Sequence, residues 1–412
     1  MRILYLLDDF PYPPDNGARI KSFNLISYMS RRHECDVLAF SWRGGADSAE
    51  RLAVNQPGSV RVLGVFPVRR GPGFFFHAAR TLLQGNPVPL ARCSSRFFAA
   101  SLQRALETTH YDLVHIEGLA MAPYVRLSRS TPCVISTTDA ISLRYARTAG
   151  SARGLRRPYL QFNARSIQRF ERKCLPLAAG IHCVSEVDSS YLSSIIPARQ
   201  ITVIECALTE EVYNYSAGGL EPVVGRVVLT APLRYPHTWR GALQFLDDAF
   251  PAVLASCPDA ELIVLGRNAP PALRLAGRLA VKAVAWAPDY CAEICAAEVV
   301  VIPDVAGSGI KNRVLQAMAL ARPVVGSPVA FEALPVQDGV HCFLRPSPAQ
   351  FAEAVAALLK NKKLRTVMGN AGRQLVRDKY APDLIGSRWE ALYRSVIADA
   401  RSTACASRTG GG

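Results

Sequence analysis

Short apolar runs rich in β-branched residues alternate along this chain with longer stretches whose apolar positions recur every three to four residues. RILYLL at 2–7 reads as a strand, and ARIKSFNLISYMSRR at 18–32 reads as an amphipathic helix. Further strands are expected at 35–40, 60–65, 112–116, 133–138, 180–185 and 201–205. The intervening helices fall at 97–109, about 157–174 and 186–195. A stretch without period, YNYSAGGLEPVVG at 213–225, then reads as a linker. The alternation restarts with strands at 226–231, 260–266, 281–287, 298–304 and 323–328. Helices are expected at 240–257, 290–297, from 310–311 onward, 347–361, 363–380 and about 385–400. Strands that are apolar on both faces and separated by helices build a parallel, doubly wound α/β sheet. The pattern therefore predicts two Rossmann-like domains, 1–212 and 226–384, facing across a cleft. The helix at 385–400 is expected to pack back on the N-terminal domain, and 401–412 to be a disordered tail.

Composition agrees with two cores: 412 residues, half of them hydrophobic, exceed what one core usually serves. No uncharged apolar run reaches the ~18 residues of a membrane span. Only Ile3–Leu7 separate Arg2 from Asp8, too short a run for a leader peptide, so a cytoplasmic protein is expected. The net charge of +15 admits nucleic acid, phosphorylated substrates or an anionic membrane surface as partners. Nucleic acid is not expected, because the basic residues are spread out and interleave with no aromatic motif. A peripheral place at the inner face of the cell membrane and a charge of no special use remain open. The eleven cysteines form no C-x-x-C pair and mostly sit among apolar neighbours, so reduced structural thiols are expected.

Three stretches carry candidate chemistry. GSGIKNRVLQAMALARPVV at 307–325 follows a strand and opens a helix near Ile310–Lys311. A helix start offers unpaired N–H groups at a positive dipole end; Gly307 and Gly309 clear space for an anion, and Lys311 adds a charge. An ordinary turn has the same appearance, since the spacing is neither a P-loop nor G-x-G-x-x-G. Arg234 and Arg240 lie after strand 226–231 and would meet an anion from the same sheet edge, or else be solvated loop residues. PYPPDNGARIK at 11–21 places Gly17 at the start of the first helix, a close-approach position or a simple turn.

These stretches, with ELIVLGRNAPPALR and RSIQRFERKC leading into IHCVSEVD, resemble the retaining glycosyltransferases of family 4 over about residues 1–395. Bacterial exopolysaccharide- and exosortase-associated sugar transferases are the most similar members. The resemblance implies the GT-B fold and a nucleotide-diphosphate sugar as donor, with no further cofactor and no metal ion. Ser308, Gly309, Ile310 and Lys311 would then face the phosphates, with Arg234 and Arg240 as clamps. Val314 and Leu315 would line the nucleotide pocket, position 316 would hold the ribose, and Gly17 would approach from the other domain. The acceptor would be a lipid-linked glycan, a polysaccharide or a small molecule, attacking on the face the diphosphate leaves.

The sequence departs from that pattern at several places. Gln316 and Ser308 stand where the family has glutamates, and Arg240 where it has lysine. Glu205–Cys206–Ala207 replaces Asn-Gly, and Arg322 precedes Pro323. Where many members carry H-x-H, this chain has His115 and then Glu117; His115 reads as structural, whereas Glu117 and Asp139 are candidates to orient the acceptor. A transferase for soluble natural products, a nucleotide-sugar epimerase and a weakly catalytic binding protein are the alternatives. A nicotinamide dehydrogenase is excluded by the lack of its glycine fingerprint.

Overall fold

The computed structural model describes the chain except for residues 43–51, 53–55, 57, 69, 72–73, 75–77, 79–80, 82–86, 129, 155, 198–199, 217–218, 274–276, 307–309 and 410–412. Two compact units emerge. The first comprises Met1–Ala207 together with Asp383–Gly412, and the second comprises Leu208–Pro382.

The first unit holds a seven-stranded sheet of β1 (Arg2–Leu7), β2 (Glu34–Ser41), β3 (Val60–Pro67), β4 (Leu113–Glu117), β5 (Cys133–Ser136), β6 (Gly180–Cys183) and β7 (Ile201–Val203). Its order is β3-β2-β1-β4-β5-β6-β7 and every pairing is parallel. The central strands carry apolar side chains on both faces because helices cover both. One face packs on Phe98, Leu102, Ile167 and Phe170. The other packs on Leu25, Ile26 and Met29 of the Gly17–Ser30 helix and on Trp389 and Tyr393 of the Pro382–Thr409 helix.

The second unit holds a six-stranded parallel sheet, β10-β9-β8-β11-β12-β13. Its strands are β8 (Arg226–Thr230), β9 (Glu261–Leu265), β10 (Val281–Val284), β11 (Val299–Ile302), β12 (Val324–Gly326) and β13 (Phe343–Leu344). Both sheets are Rossmann-like, and in each the strand order reverses once, at β1/β4 and at β8/β11. A ligand crevice is expected outside the carboxyl ends at those reversals. Among the described residues, no helix is long and apolar enough to cross a membrane.

The structure differs from the sequence expectations in four places. The chain passes between units at Ala207–Leu208, so the aperiodic 213–225 stretch lies within the second unit. Leu208 and Val212 are buried in that unit's core, and a Glu210–Tyr213 turn of helix seats Val212 there. β13 is a two-residue strand, too short to show a period. Leu119–Leu127 forms a 3-10 segment and Ile141–Ser151 a helix, neither of which the pattern indicated. The last helix continues to Thr409 through the segment expected to be disordered. No glycine or proline interrupts 401–409, and extending an anchored helix adds one hydrogen bond per residue without a new nucleus.

Candidate functional site

The β8/β11 reversal gathers the cationic residues. After β8 the chain turns through Ala231–Tyr235 into the Pro236–Gln244 helix. Leu233 is fully buried and anchors the turn. The Thr238 hydroxyl, 2.8 Å from both the Pro232 and Tyr235 carbonyl oxygens, closes it. Arg234 is exposed, donates to the Tyr235 hydroxyl at 2.6 Å and lies 4.6 Å from that ring's centroid. Arg240 is also exposed, its guanidinium 5.6 Å from the Trp239 ring. Gly241 beside it is required by packing: an added Cβ would sit 1.8 Å from the Pro303 carbonyl oxygen at the end of β11.

The β11 loop is held by Asp304, which is buried. Its carboxylate pairs with Arg313 and its carbonyl accepts the Ser327 hydroxyl at 2.6 Å. The backbone N–H of Val305 donates to the His237 carbonyl at 3.3 Å, joining the two loops. Burial pushes the His237 imidazole below its usual value; Asp304 opposes this, while Lys311 and Arg313 add to it. Those interactions place Lys311 and Arg313 within electrostatic reach of the β8 loop. Lys311 precedes the Asn312–Ala319 helix, which has no capping side-chain hydrogen bond among the described residues. An anion is favoured there by the open N–H groups and by the helix dipole.

Ile310 and Lys311 are half-buried at this helix start, whereas Ser308 and Gly309 lie outside the described residues. Val314 and Leu315 are buried in the core, 0% and 1% exposed. The reason is the helical period: they share the inward face with Ala317 and Met318. Gln316 is half-buried on the adjoining face, and no described residue bonds its side-chain amide.

The first unit holds a second polar constellation, at the carboxyl ends of β1, β4, β5 and β6. Gly17 is exposed at the first turn of its helix, where the Asn16 side chain accepts from the N–H of Arg19. Arg19 is buried and binds both Asp9 oxygens, at 2.7 and 2.9 Å, which fixes the loop after β1. One turn on, the buried Lys21 ammonium donates to Glu117 Oε1 at 2.8 Å and Ser136 Oγ at 2.7 Å. Ser136 Oγ lies 3.0 Å from His182 Nδ1, and His182 Nε2 lies 2.9 Å from the Ile204 carbonyl. His115 bridges Glu117 Oε2, at 3.2 Å, and the Tyr393 hydroxyl, at 2.8 Å.

Glu117 is thus turned into the interior, 3% exposed. β4 is covered on both faces, so alternation selects no wet side. Burial alone would raise the Glu117 carboxyl, but Lys21 and then His115 outweigh it and bring it down to about 2. His115 is completely buried, and burial lowers it. Asp139 stands apart from this chain of bonds, paired with Arg144 at 3.1 Å.

Sequence reasoning missed Lys21, Ser136, His182, Trp389 and Tyr393, along with Asp304, Arg313 and His237. It also missed Asp8, which follows β1 at the reversal. Gly118 follows β4 with a φ of +87°, and a Cβ there would come within 2.2 Å of the Asp8 carboxylate. A DD pair after a strand and a glycine after its neighbour were the available signals.

Burial, then the Glu117 and Asp9 charges, raise the Asp8 carboxyl to about 7. The folded protein therefore holds this proton more tightly than the unfolded chain, and the cost of ionising Asp8 grows as pH climbs from about 4 to about 7. Asp8→Asn should be stabilising by ~2 kcal/mol at pH 8, discounted for partial exposure, and near neutral at pH 4. Urea unfolding at the two pH values checks this; an equal difference at both would refute it.

Comparison with known proteins places the two halves separately. Residues 16–211 match the family described as Glycosyltransferase Family 4, and residues 226–361 match Glycosyl transferases group 1. A phosphatidyl-myo-inositol mannosyltransferase of Mycobacterium leprae (strain TN) is 30% identical over 182 residues, which cover 42% of this chain. The chain spans about half of that relative, 48% of its length. Sucrose-phosphate synthase from Thermosynechococcus elongatus superposes with a TM-score of 0.66 at 17% identity, covering 97% of this chain and all of that one. Anabaena HepE in complex with UDP and glucose superposes with a TM-score of 0.64 at 16% identity, covering 96% of this chain and all of the other. At those identities the two structures speak for the fold alone.

Proposed function

Because this chain belongs to the glycosyltransferases, with a family 4 half followed by a group 1 half, we propose that it moves a sugar from a nucleotide-diphosphate sugar to an acceptor, with retention. The observation that carries this reading is the β8/β11 edge, where the chain after β8 carries Arg234 and Arg240 and the chain after β11 leads through Lys311 into a helix start with no capping side-chain hydrogen bond. A diphosphate brings two to three negative charges, and this edge offers fixed cations and N–H donors to neutralise it as it departs.

In the proposed step the bond from the sugar's anomeric carbon to the diphosphate oxygen breaks. The acceptor oxygen bonds to that carbon on the same face, and its proton passes to the leaving phosphate. Arg234 and Arg240 supply the countercharge, so no metal ion is required. Gln316, on the helix that starts at this edge, receives the ribose hydroxyls through its amide oxygen. The acceptor is proposed to be lipid-linked or a polysaccharide, in exopolysaccharide or cell-envelope glycan synthesis. HepE is described with UDP and glucose, which makes a uridine diphosphate sugar the first donor to test. The basic surface suits docking at an anionic cytoplasmic leaflet. Gln316 also favours a second reading, a nucleotide-sugar-binding protein of weak catalysis, because an amide lacks a carboxylate's charge.

A thermal-shift panel of nucleotide sugars tests the donor site. The matching donor should raise Tm by mass action, and Arg240→Ala should weaken affinity by at least ~10-fold through loss of a charge-assisted bond. Silence toward every donor would sink the transferase reading. Full donor affinity without turnover on any acceptor would select the binding-protein reading.

A further inference from the structure

The first unit contains a cavity of about 480 Å³, well within the range of ligand pockets and far beyond a packing defect. It lies beside the Leu119–Leu127 segment, between that segment and the start of the Arg96–Thr108 helix, with Phe170 at its wall. Leu90, Pro123, Leu127 and Phe170 give it an apolar lining. The Tyr124 hydroxyl offers no free donor, because it is already bonded to the Cys93 carbonyl at 3.0 Å. Two charged side chains line the cavity: Arg96 and Arg126, both exposed and neither paired with a carboxylate among the described residues. Apolar walls with two unpaired guanidiniums match an amphiphile, with a hydrocarbon chain inside and an anionic group at the mouth.

The cavity's position relates it to the strand ends. Its lining begins at Ala120, two residues after Gly118, and follows the 3-10 segment to Leu127. At ~2 Å per residue the segment along this wall is about 14 Å long. Its Cys93 side reaches the β1 end, where the Cys93 thiol donates to the Asp8 carbonyl at 3.7 Å.

We propose that this cavity seats the hydrocarbon chain of the acceptor, a single-chain lipid whose anionic group is held by Arg96 and Arg126. The proposal rests on the transferase reading for the word acceptor, and on the cavity alone for the ligand's chemistry.

Calorimetric titration of the intact protein with dodecyl phosphate, below its micellar range, tests it. Saturable binding is expected, with inorganic phosphate showing none at the same concentration and neutral dodecyl maltoside binding at least ~10-fold more weakly. Arg96→Ala with Arg126→Ala should reduce affinity for dodecyl phosphate by at least ~10-fold, and Ala120→Phe should abolish it by filling the cavity. The UDP-induced thermal shift should survive in both variants. If Ala120→Phe loses its thermal transition, Ala99→Leu carries the same test from the facing helix. Failure of dodecyl phosphate to bind, equal binding of inorganic phosphate, or unchanged affinity in the variants would overturn the proposal. A wild-type protein that binds dodecyl phosphate but no nucleotide would instead refute the transferase reading and leave the lipid site standing.

Discussion

Lys21→Met should destabilise the protein by about 3–5 kcal/mol, the cost of leaving one partner of a buried ion pair alone. The methionine fills most of the lysine's volume, so the loss is electrostatic. Glu117 stays 3% exposed, keeps His115 and loses the ammonium 2.8 Å away, while Ser136 loses its donor at 2.7 Å. The pH dependence identifies the cause. In the wild type Glu117 is held down to about 2, so its stabilising contribution is complete above its unfolded value of 4.5 and is lost as pH falls toward 2. In the variant burial is unopposed by Lys21, and Glu117 takes up a proton far more readily. The stability gap should therefore be widest near pH 7 and narrow by pH 4. Adding Glu117→Gln to Lys21→Met should recover much of the loss, because the unpaired charge disappears. Urea unfolding at both pH values reads all of this; a pH-independent gap, or one under ~1 kcal/mol, would show that the pair is dispensable.

Gly241→Ala should cost ~3 kcal/mol, near the upper end of ordinary overpacking. The new methyl would meet the Pro303 carbonyl oxygen at 1.8 Å, and that oxygen is backbone at the end of a central strand. The helix can only move away, carrying Arg240 off the β8/β11 edge, so affinity for a nucleotide diphosphate should fall together with stability. Gly372→Ala is the matched control. Its Cβ would meet the flexible Met318 side chain at 3.1 Å, and the change should cost under ~1 kcal/mol. Thermal melts with and without UDP separate the two effects, and similar behaviour of the two variants would defeat the argument.

The glycine itself shows how much of this protein was legible beforehand. Arg240 stood out as a candidate clamp, but nothing in the sequence said that the glycine after it serves the contact with Pro303. The strands were readable because each is a short β-branched run closed by a turn, and β13 escaped because two residues have no period. The cationic edge was readable because its residues lie within about ten positions of strand ends. The first unit's constellation was not: Lys21 reaches Glu117 across 96 positions, and His115 reaches Tyr393 across 278. Local periodicity carries no information about such pairings, so Lys21 passed for an ordinary charge on an amphipathic helix. Val314 and Leu315, assigned to a pocket by resemblance, lie on the buried face of their helix.

The return of the last helix to the first unit also orders the birth of the molecule. Trp389 packs its ring 4.1 Å from that of His182, Val396 lies close enough to Gly180 that an added Cβ would sit 2.8 Å away, and Tyr393 bonds His115. All three lie beyond residue 388, later in the chain than the whole second unit. The amino-terminal half, though made first, waits with two buried histidines uncovered while the entire second unit is synthesised and becomes free to fold. Of the two units, the one the chain enters first is thus the one it completes last, and a chain truncated before residue 389 would hold all of the second unit and an unfinished first.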